Sequence, residues 1–258
     1  MSGHLNPGGQ QFRDDRGGAD PRVTAALAAY QAGQGSEQAA LDALAAARLL
    51  VPVIAVLGRE PSEEQEPVNA KQGDKDSEMV LPTLIGRDGR PAVLAFTGLD
   101  ALARWRPDAR PVPAEADRVW RAAVADGCAV VIDVAGPVPL AVEGARLAAL
   151  AAGQPVPPPH EDPDVRAEVQ AAVAAEPAIA GFSLAPGHDS LAPGHHGLAP
   201  GHDSLAPDHD GAADLAITLH LAPGAKTDPG PAVNRAAAGI ATRLGARLRR
   251  GIEVIVAG

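Results

Sequence analysis

Apolar residues in the first fifty positions recur at helical spacing, and a continuous apolar run follows them. Asp20-Pro21 is typical of a helix start, with an N-cap residue followed by proline at the first helical position. Ser36 can cap a second helix, and the run over 49–57 is short and rich in β-branched residues, which predicts a strand. The residues before the first helix are polar and glycine-rich, so we expect a disordered tail over 1–20.

A β-hairpin is the clearest supersecondary signal in the chain. Apolar runs over 79–85 and 91–96 flank Arg87-Asp88-Gly89-Arg90, and Asp-Gly accepts positive φ at both central positions of a type I′ turn. The acidic residues of 58–78 predict a solvated loop before this hairpin. Downstream, the pattern predicts helices over 99–105, 114–125 and 143–152, strands over 128–134 and 139–142, and an extended proline-rich connector over 107–113.

A proline-rich segment at 154–159 predicts a stiff linker and a domain boundary. Beyond it, the pattern predicts a helix, two strands, an amphipathic helix and a final strand, beginning at 162, 178, 214, 231 and 252. The predicted fold class is therefore α+β, with two small domains that each have a mixed sheet and packed helices. We expect the first domain over 21–152, the linker over 153–163 and the second domain over 164–258.

Four near-identical seven-residue units occupy 183–210, and they contain five of the eight histidines. Proline in every unit argues against a coiled coil, although the period is seven. One interpretation is a hairpin loop lengthened by duplication, which the slow growth of loop-closure entropy tolerates. The other is a weak divalent-metal tract, because clustered histidines and aspartates can ligate zinc, nickel or copper.

Composition excludes several classes of protein. The formal net charge of −10 argues against a nucleic-acid partner, which requires clustered Lys and Arg. There are 55 alanines against six aromatic residues, so the core consists mainly of small aliphatic side chains. The single cysteine, Cys128, lies in an apolar run and is expected to be a buried, inert thiol. No apolar leader or membrane-spanning run is present, so we expect no membrane partner and a cytoplasmic location.

Catalytic motifs are missing from the sequence. It contains no G-x-G-x-x-G, no P-loop, no H-E-x-x-H and no G-x-S-x-G. Outside the repeat, His4, His160 and His220 are expected at the surface. Asp133, in an apolar run, either ends its strand and caps the Gly136 turn or is a buried functional acid with a raised pKa. The sequence therefore assigns no catalytic, cofactor-binding or metal-binding residue.

Short motifs in the first half resemble a known family. They are Leu50-Val51-Pro52-Val53, Asp88-Gly89-Arg90-Pro91, and Ala95-Phe96-Thr97-Gly98 followed by Leu102 and Trp105. Together they resemble the SseB protein family, named for enhanced serine sensitivity, whose N-terminal domain is also labelled type III secretion SseB-like. Actinobacterial members share the alanine- and proline-rich composition.

The resemblance extends over about 22–152. The segment 128–137 fits it, although Asp133-Val134 stands where many members have Asn-Pro. The C-terminal unit, including Ile252-Glu253-Val254, resembles the shorter SseB C-terminal domain. The shared motifs are structural, so the resemblance implies a fold and carries over no catalytic residue.

The leading functional hypothesis is a non-enzymatic protein that acts by contact with an unknown protein partner. Phe96 and Trp105 are either core residues or the anchors of that contact. The alternative is a small-molecule binder or an enzyme linked to amino-acid (serine) metabolism. A third hypothesis is secretion-related chaperoning. Three of the six aromatic residues fall within 96–120, so we expect the first domain to carry most of the stability.

Overall fold

A computed structural model describes residues 12, 15–57, 77–80, 82–86, 89–187, 213–223 and 229–257. The helices are α1 (Pro21–Gln31), α2 (Glu37–Ala45), α3 (Leu99–Trp105), α4 (Ala116–Ala125), α5 (Gly144–Ala151), α6 (Pro163–Val173) and α7 (Gly230–Leu244). The strands are β1 (Arg48–Leu57), β2 (Ser77–Val80), β3 (Thr83–Ile85), β4 (Pro91–Ala95), β5 (Arg110–Glu115), β6 (Ala129–Ile132), β7 (Leu140–Val142), β8 (Ile179–Pro186), β9 (Leu215–Leu221) and β10 (Ile252–Ala257). This mixture confirms the α+β fold class.

The chain divides into two compact units. Unit 1 contains the described residues of Met1–Asp20 and Arg48–Val142, and unit 2 contains those of Pro21–Ala47 and Glu143–Gly258. The first two helices thus group with the C-terminal part of the chain, which differs from the boundary expected at the proline-rich segment. The physical reason is a set of contacts inside unit 2, where the Tyr30 hydroxyl donates to the carbonyl of Arg247 at 3.0 Å.

Unit 1 contains two sheets, ordered β2-β1-β5 and β3-β4-β6-β7. In the second sheet β4 and β6 are parallel, whereas β3 and β7 are antiparallel edge strands. A bridge between Leu50 and Phe96, with N–H···O distances of 2.7 and 2.8 Å in the two directions, links the sheets. The largest fully buried side chain of the unit is that of Trp120 on α4.

Unit 2 is built on the sheet β10-β9-β8, in which β10 and β9 are parallel. Its core joins one face of the sheet to α6 and α7. Alternate residues of β9, namely Leu215, Ile217 and Leu219, pack there with valines of α6 and with Ile240 of α7. The predicted order of helix, two strands, helix and strand is confirmed in this part of the chain.

Some expected elements differ in detail. The proline-rich connector forms β5, an edge strand that tolerates Pro111 and Pro113 because its outer side needs no ladder hydrogen bond. The first strand of the hairpin divides into β2, which pairs with β1, and β3, which pairs with β4. Helix α7 ends at Leu244 rather than Arg249, because a turn begins at Gly245.

The predicted tail differs as well, because residues 15–20 lie against unit 1. The Leu99 N–H donates to the Gly17 carbonyl at 2.8 Å. Parts of three predicted segments lie outside the described residues. They are residues 1–11 of the tail, residues 58–76 of the acidic segment 58–78, and residues 188–210 of the repeat. Among the described residues, no helix has the length and apolar character needed to cross a bilayer.

Candidate functional site

Two loops follow the parallel strands β4 and β6 and meet at the same edge of the sheet. Crevices at the carboxyl ends of parallel strands are common ligand sites in α/β sheets. Here the loop after β4 begins with Phe96-Thr97-Gly98, and the loop after β6 begins with Asp133. The residues that resemble the family motif and the one unusual carboxylate are therefore neighbours in the fold.

Asp133 binds the two loops together. Its carboxylate accepts hydrogen bonds from the Thr97 backbone N–H at 2.8 Å and from the Thr97 hydroxyl at 2.7 Å. Its φ of 48° lies in the left-handed region, where Asp and Asn are the non-glycine residues most readily accommodated. The Gly136 N–H donates to the Asp133 carbonyl at 2.7 Å, which closes the turn that the sequence suggested.

The chemical environment of Asp133 favours a structural part over proton transfer. The residue is buried, and this burial raises the pKa of its carboxyl group; hydrogen bonds from Thr97 and the charge of Arg104 oppose the rise. Both carboxylate oxygens accept bonds from Thr97. The Asp133 side chain thus links the loop after β6 to the loop after β4. Each of its oxygens contacts protein, and the side chain is buried from solvent.

Phe96 and Trp105 lie at different depths. Phe96 has no exposed surface, whereas Trp105 is half-buried and packs on it with ring centroids 5.4 Å apart. Both belong to or pack against the cluster that contains Leu50 and Leu102. Phe96 is therefore a core residue and, in this conformation, cannot contact a partner, because β1 and α3 cover it.

Residues 15–20 are fastened over the β4 loop by Arg48 at the start of β1. The Arg48 guanidinium pairs with Asp15 at 2.6 Å, bonds to the Gly18 carbonyl, and donates to the Thr97 carbonyl at 3.1 Å. A Cβ added to Gly98 would lie 2.8 Å from the backbone nitrogen of Ala19. This close approach explains why glycine stands after Thr97, and it shows that the strap of 15–20 closes the crevice.

The edge strand β3 provides the most open apolar feature of unit 1. Ile85 is 68% exposed, the largest value among the exposed large hydrophobic side chains of the described residues, while the adjacent Leu84 packs against the core cluster. No strand of the described residues pairs with the outer edge of β3. The sequence analysis missed this site, and its only sequence signal is an isoleucine placed just before a turn.

The edge strand β5 is less suited to accept a further strand. Pro111 and Pro113 remove backbone N–H donors from β5. In β3 each of the three residues retains its N–H. The contrast matters because an edge with a continuous row of donors and acceptors is a template for another strand.

The remaining sequence candidates do not assemble into a site. Cys128 is half-buried rather than buried, and burial together with Asp126 raises the pKa of its thiol. The imidazole of His220 lies 3.2 Å from the Ser183 hydroxyl on an exposed sheet face. No group of three potential metal ligands occurs in the part of the chain that the structure describes. The repeat histidines and His4 lie outside that part.

The fold defines an α+β protein of two compact units, and hydrogen bonds from Thr97 to Asp133 link two loops of its first unit. Residues 23–149 match the sequence model described as the SseB protein N-terminal domain, and the chain belongs to the SseB protein family. The matched segment runs from α1 into α5 and includes both loops and β3. No curated protein and no solved structure matches the chain.

Proposed function

We propose that this SseB-family protein is a non-enzymatic interaction module of the cytoplasm, which binds an extended segment of a partner protein along the outer edge of β3. The observation that carries the proposal is the combination of a strand edge that no described strand covers with the exposed Ile85. The Asp133–Thr97 contact supports the absence of catalysis, since both carboxylate oxygens already serve to hold the two loops together.

The geometry of β3 favours strand addition over side-chain docking alone. Thr83 and Ile85 pair with Val93 and Pro91 of β4, so the inner edge of the strand is already occupied. Strand addition uses the outer backbone groups for affinity and alternate side-chain positions for specificity. Thr83 and Ile85 occupy such alternate positions and are both exposed, whereas Leu84 points to the core.

The size of the edge sets the expected strength of the contact. Three residues provide few main-chain hydrogen bonds, each with a net value of about 1 kcal/mol. Covering the Ile85 side chain contributes roughly a further 1–2 kcal/mol. The partner is therefore expected to bind weakly and reversibly unless it also contacts a neighbouring surface.

Affinity capture with matched variants tests the proposal. Tagged full-length chains with the parent sequence, with Ile85→Lys and with Val124→Lys are compared for the proteins they retain. Val124 is 46% exposed on α4 of the same unit, so its replacement adds the same charge and removes a similar apolar side chain away from β3.

Ile85→Lys should lose a protein that the parent and Val124→Lys both retain, because lysine replaces the exposed apolar contact beside the strand edge. Equal retention by all three chains would refute the β3 site. Turnover of a metabolite by the purified parent would refute the non-enzymatic assignment.

We also propose that 164–258 is the C-terminal domain of the family. Support comes from the element order of α6, β8, β9, α7 and β10, which makes a core of its own around Leu215 and Ile217. Limited proteolysis tests this assignment: a stable fragment that begins near residue 160 supports it, and loss of the C-terminal core after such a cut contradicts it.

A further inference from the structure

Unit 2 contains a cleft with a volume of about 190 Å³ that is lined by both polar and apolar groups. Five separate segments form its walls: the start of α2, the proline-rich segment, the end of β8, the junction before β9, and the turn after α7. One water molecule needs roughly 10–15 Å³ on the same measure, so the cleft has room for a small polyatomic ligand. This size suits a small metabolite or ion rather than a peptide.

The carboxylates beside the cleft are already occupied. Glu37 accepts from Arg146 and, at 2.5 Å, from the Arg247 Nε; Arg247 also donates to Asp162 at 2.5 Å. Asp214 accepts from the backbone N–H of Arg250 at 3.0 Å and from its Nε at 2.9 Å. All of these carboxylates therefore already accept hydrogen bonds from protein donors. Few carboxylate oxygens remain in the walls to accept a hydrogen bond from a ligand.

Donor groups, in contrast, remain available. The Arg250 guanidinium uses only Nε toward Asp214, and within the described residues its two terminal nitrogens have no hydrogen-bond partner. The side chain is 27% exposed and lines the cleft. The imidazole of His160, 23% exposed, lines the same cleft next to the prolines, and its Nε2 lies 3.5 Å from Glu161.

We propose that this cleft is a binding site for a small oxyanion, a carboxylate or a phosphate, held by the terminal nitrogens of Arg250. Planar guanidinium groups recognise such anions through paired charge-assisted hydrogen bonds. The buried network of Glu37, Arg146, Arg247 and Asp162 has no net formal charge, and the Arg250–Asp214 pair is neutral as well. Recognition of the anion therefore rests on the hydrogen-bond donors of Arg250 rather than on a net positive charge. This site is independent of the β3 edge and of the function proposed for it.

Heteronuclear NMR of the full chain tests the site directly. The protein, labelled with ¹⁵N, is titrated with sodium phosphate and, separately, with sodium acetate at constant ionic strength and pH. We expect saturable shifts of the Arg250 Nε–H signal and of the backbone amides at 248–251, and the anion that saturates at the lower concentration identifies the ligand class. Shifts that grow linearly with both anions would overturn the proposal.

Variants separate the site from general charge effects. Arg250→Gln should weaken binding about tenfold or more, because a hydrogen bond to a charged group is lost. Arg243→Gln removes the same charge from α7 at a position paired with Glu168 outside the cleft and should leave binding unchanged. If Arg250→Gln fails to fold, Arg250→Lys preserves the ion pair with Asp214 and should still weaken binding. Equal binding by the parent and the Arg250 variant, or equal weakening by Arg243→Gln, would contradict the proposal.

Discussion

Asp133 provides the sharpest test of how unit 1 is held together. If its carboxylate serves only to accept hydrogen bonds from Thr97, an isosteric amide should replace it. Asp133→Asn retains a carbonyl oxygen for the Thr97 N–H and presents an NH₂ group to the hydroxyl, which can accept as well as donate. Asparagine also tolerates the left-handed φ of 48°.

The expected magnitudes differ strongly between two substitutions. Asp133→Ala leaves the buried Thr97 N–H without its acceptor, which costs about 1–3 kcal/mol. It also places alanine in the left-handed region, at a cost of about 1–2 kcal/mol. We therefore expect Asp133→Ala to lower the free energy of unfolding by about 2–5 kcal/mol, and Asp133→Asn to change it by less than about 1 kcal/mol at neutral pH.

The pH dependence has a defined sign. Because burial raises the pKa of Asp133 in the folded state, the folded protein binds this proton more tightly than the unfolded chain does. Its favourable contribution is full below the unfolded pKa of about 4 and is lost as the pH rises through the higher folded pKa. Asp133→Asn should therefore gain stability relative to the parent as the pH is raised from acid toward neutrality.

Urea unfolding followed by tryptophan fluorescence measures these differences, because both tryptophans, Trp105 and Trp120, lie in unit 1. The parent, Asp133→Asn and Asp133→Ala are compared at several pH values. The reasoning is refuted if the asparagine variant is as unstable as the alanine variant at neutral pH, or if its disadvantage grows with pH. Either result would mean that the ionised carboxylate stabilises unit 1.

Three further expectations concern charged and titratable groups. Arg247→Ala should lower the free energy of unfolding of unit 2 by about 3–5 kcal/mol in circular dichroism melts, because Glu37 and Asp162 lose a buried partner; an unchanged melt would contradict the network. Tyr30 is the only tyrosine, and burial and Glu37 raise its pKa, so the phenolate absorbance of the folded protein should appear at higher pH than in urea. Cys128 should react with a thiol reagent more slowly than an unfolded control at neutral pH, because its raised thiol pKa lowers the thiolate fraction; equal rates would exclude this.

Local patterns predicted the elements whose signals are short-range. The pairing of β3 with β4 follows from the flanking apolar runs and is confirmed. The predicted two-residue turn is wrong, because the Gly86 N–H donates to the Arg90 carbonyl and the Gly89 N–H donates to the Gly86 carbonyl, which is the pattern of a three-residue connection that ends in a left-handed glycine. Strand β5 was not predicted, because its prolines favour a connector in isolation. Only the pairing of Val51 with Val112 and their neighbours makes this segment an edge strand.

The candidate sites depend on contacts between residues that are far apart in the sequence, and local sequence patterns do not predict such contacts. Thr97 and Asp133 are 36 positions apart, so the sequence left the two interpretations of Asp133 open. From the sequence, Phe96 could be either a partner anchor or a core residue. In the structure it is fully buried beside β1, which makes it a core residue. The cleft in unit 2 joins segments separated by more than two hundred residues, such as Gln38 and Arg250, and no local motif marks it.

Hydrogen–deuterium exchange on the complex tests the proposed interaction surface most directly. The full chain is exchanged alone and with the partner obtained by affinity capture, and the backbone amides of Thr83, Leu84 and Ile85 are followed. Our account predicts slower exchange at Thr83 and Ile85 in the complex, because their N–H groups face the outer edge of β3, where a partner strand would supply acceptors, whereas the N–H of Leu84, like that of Gly86, faces β4. Unchanged exchange at β3 together with protection elsewhere in the chain would contradict it.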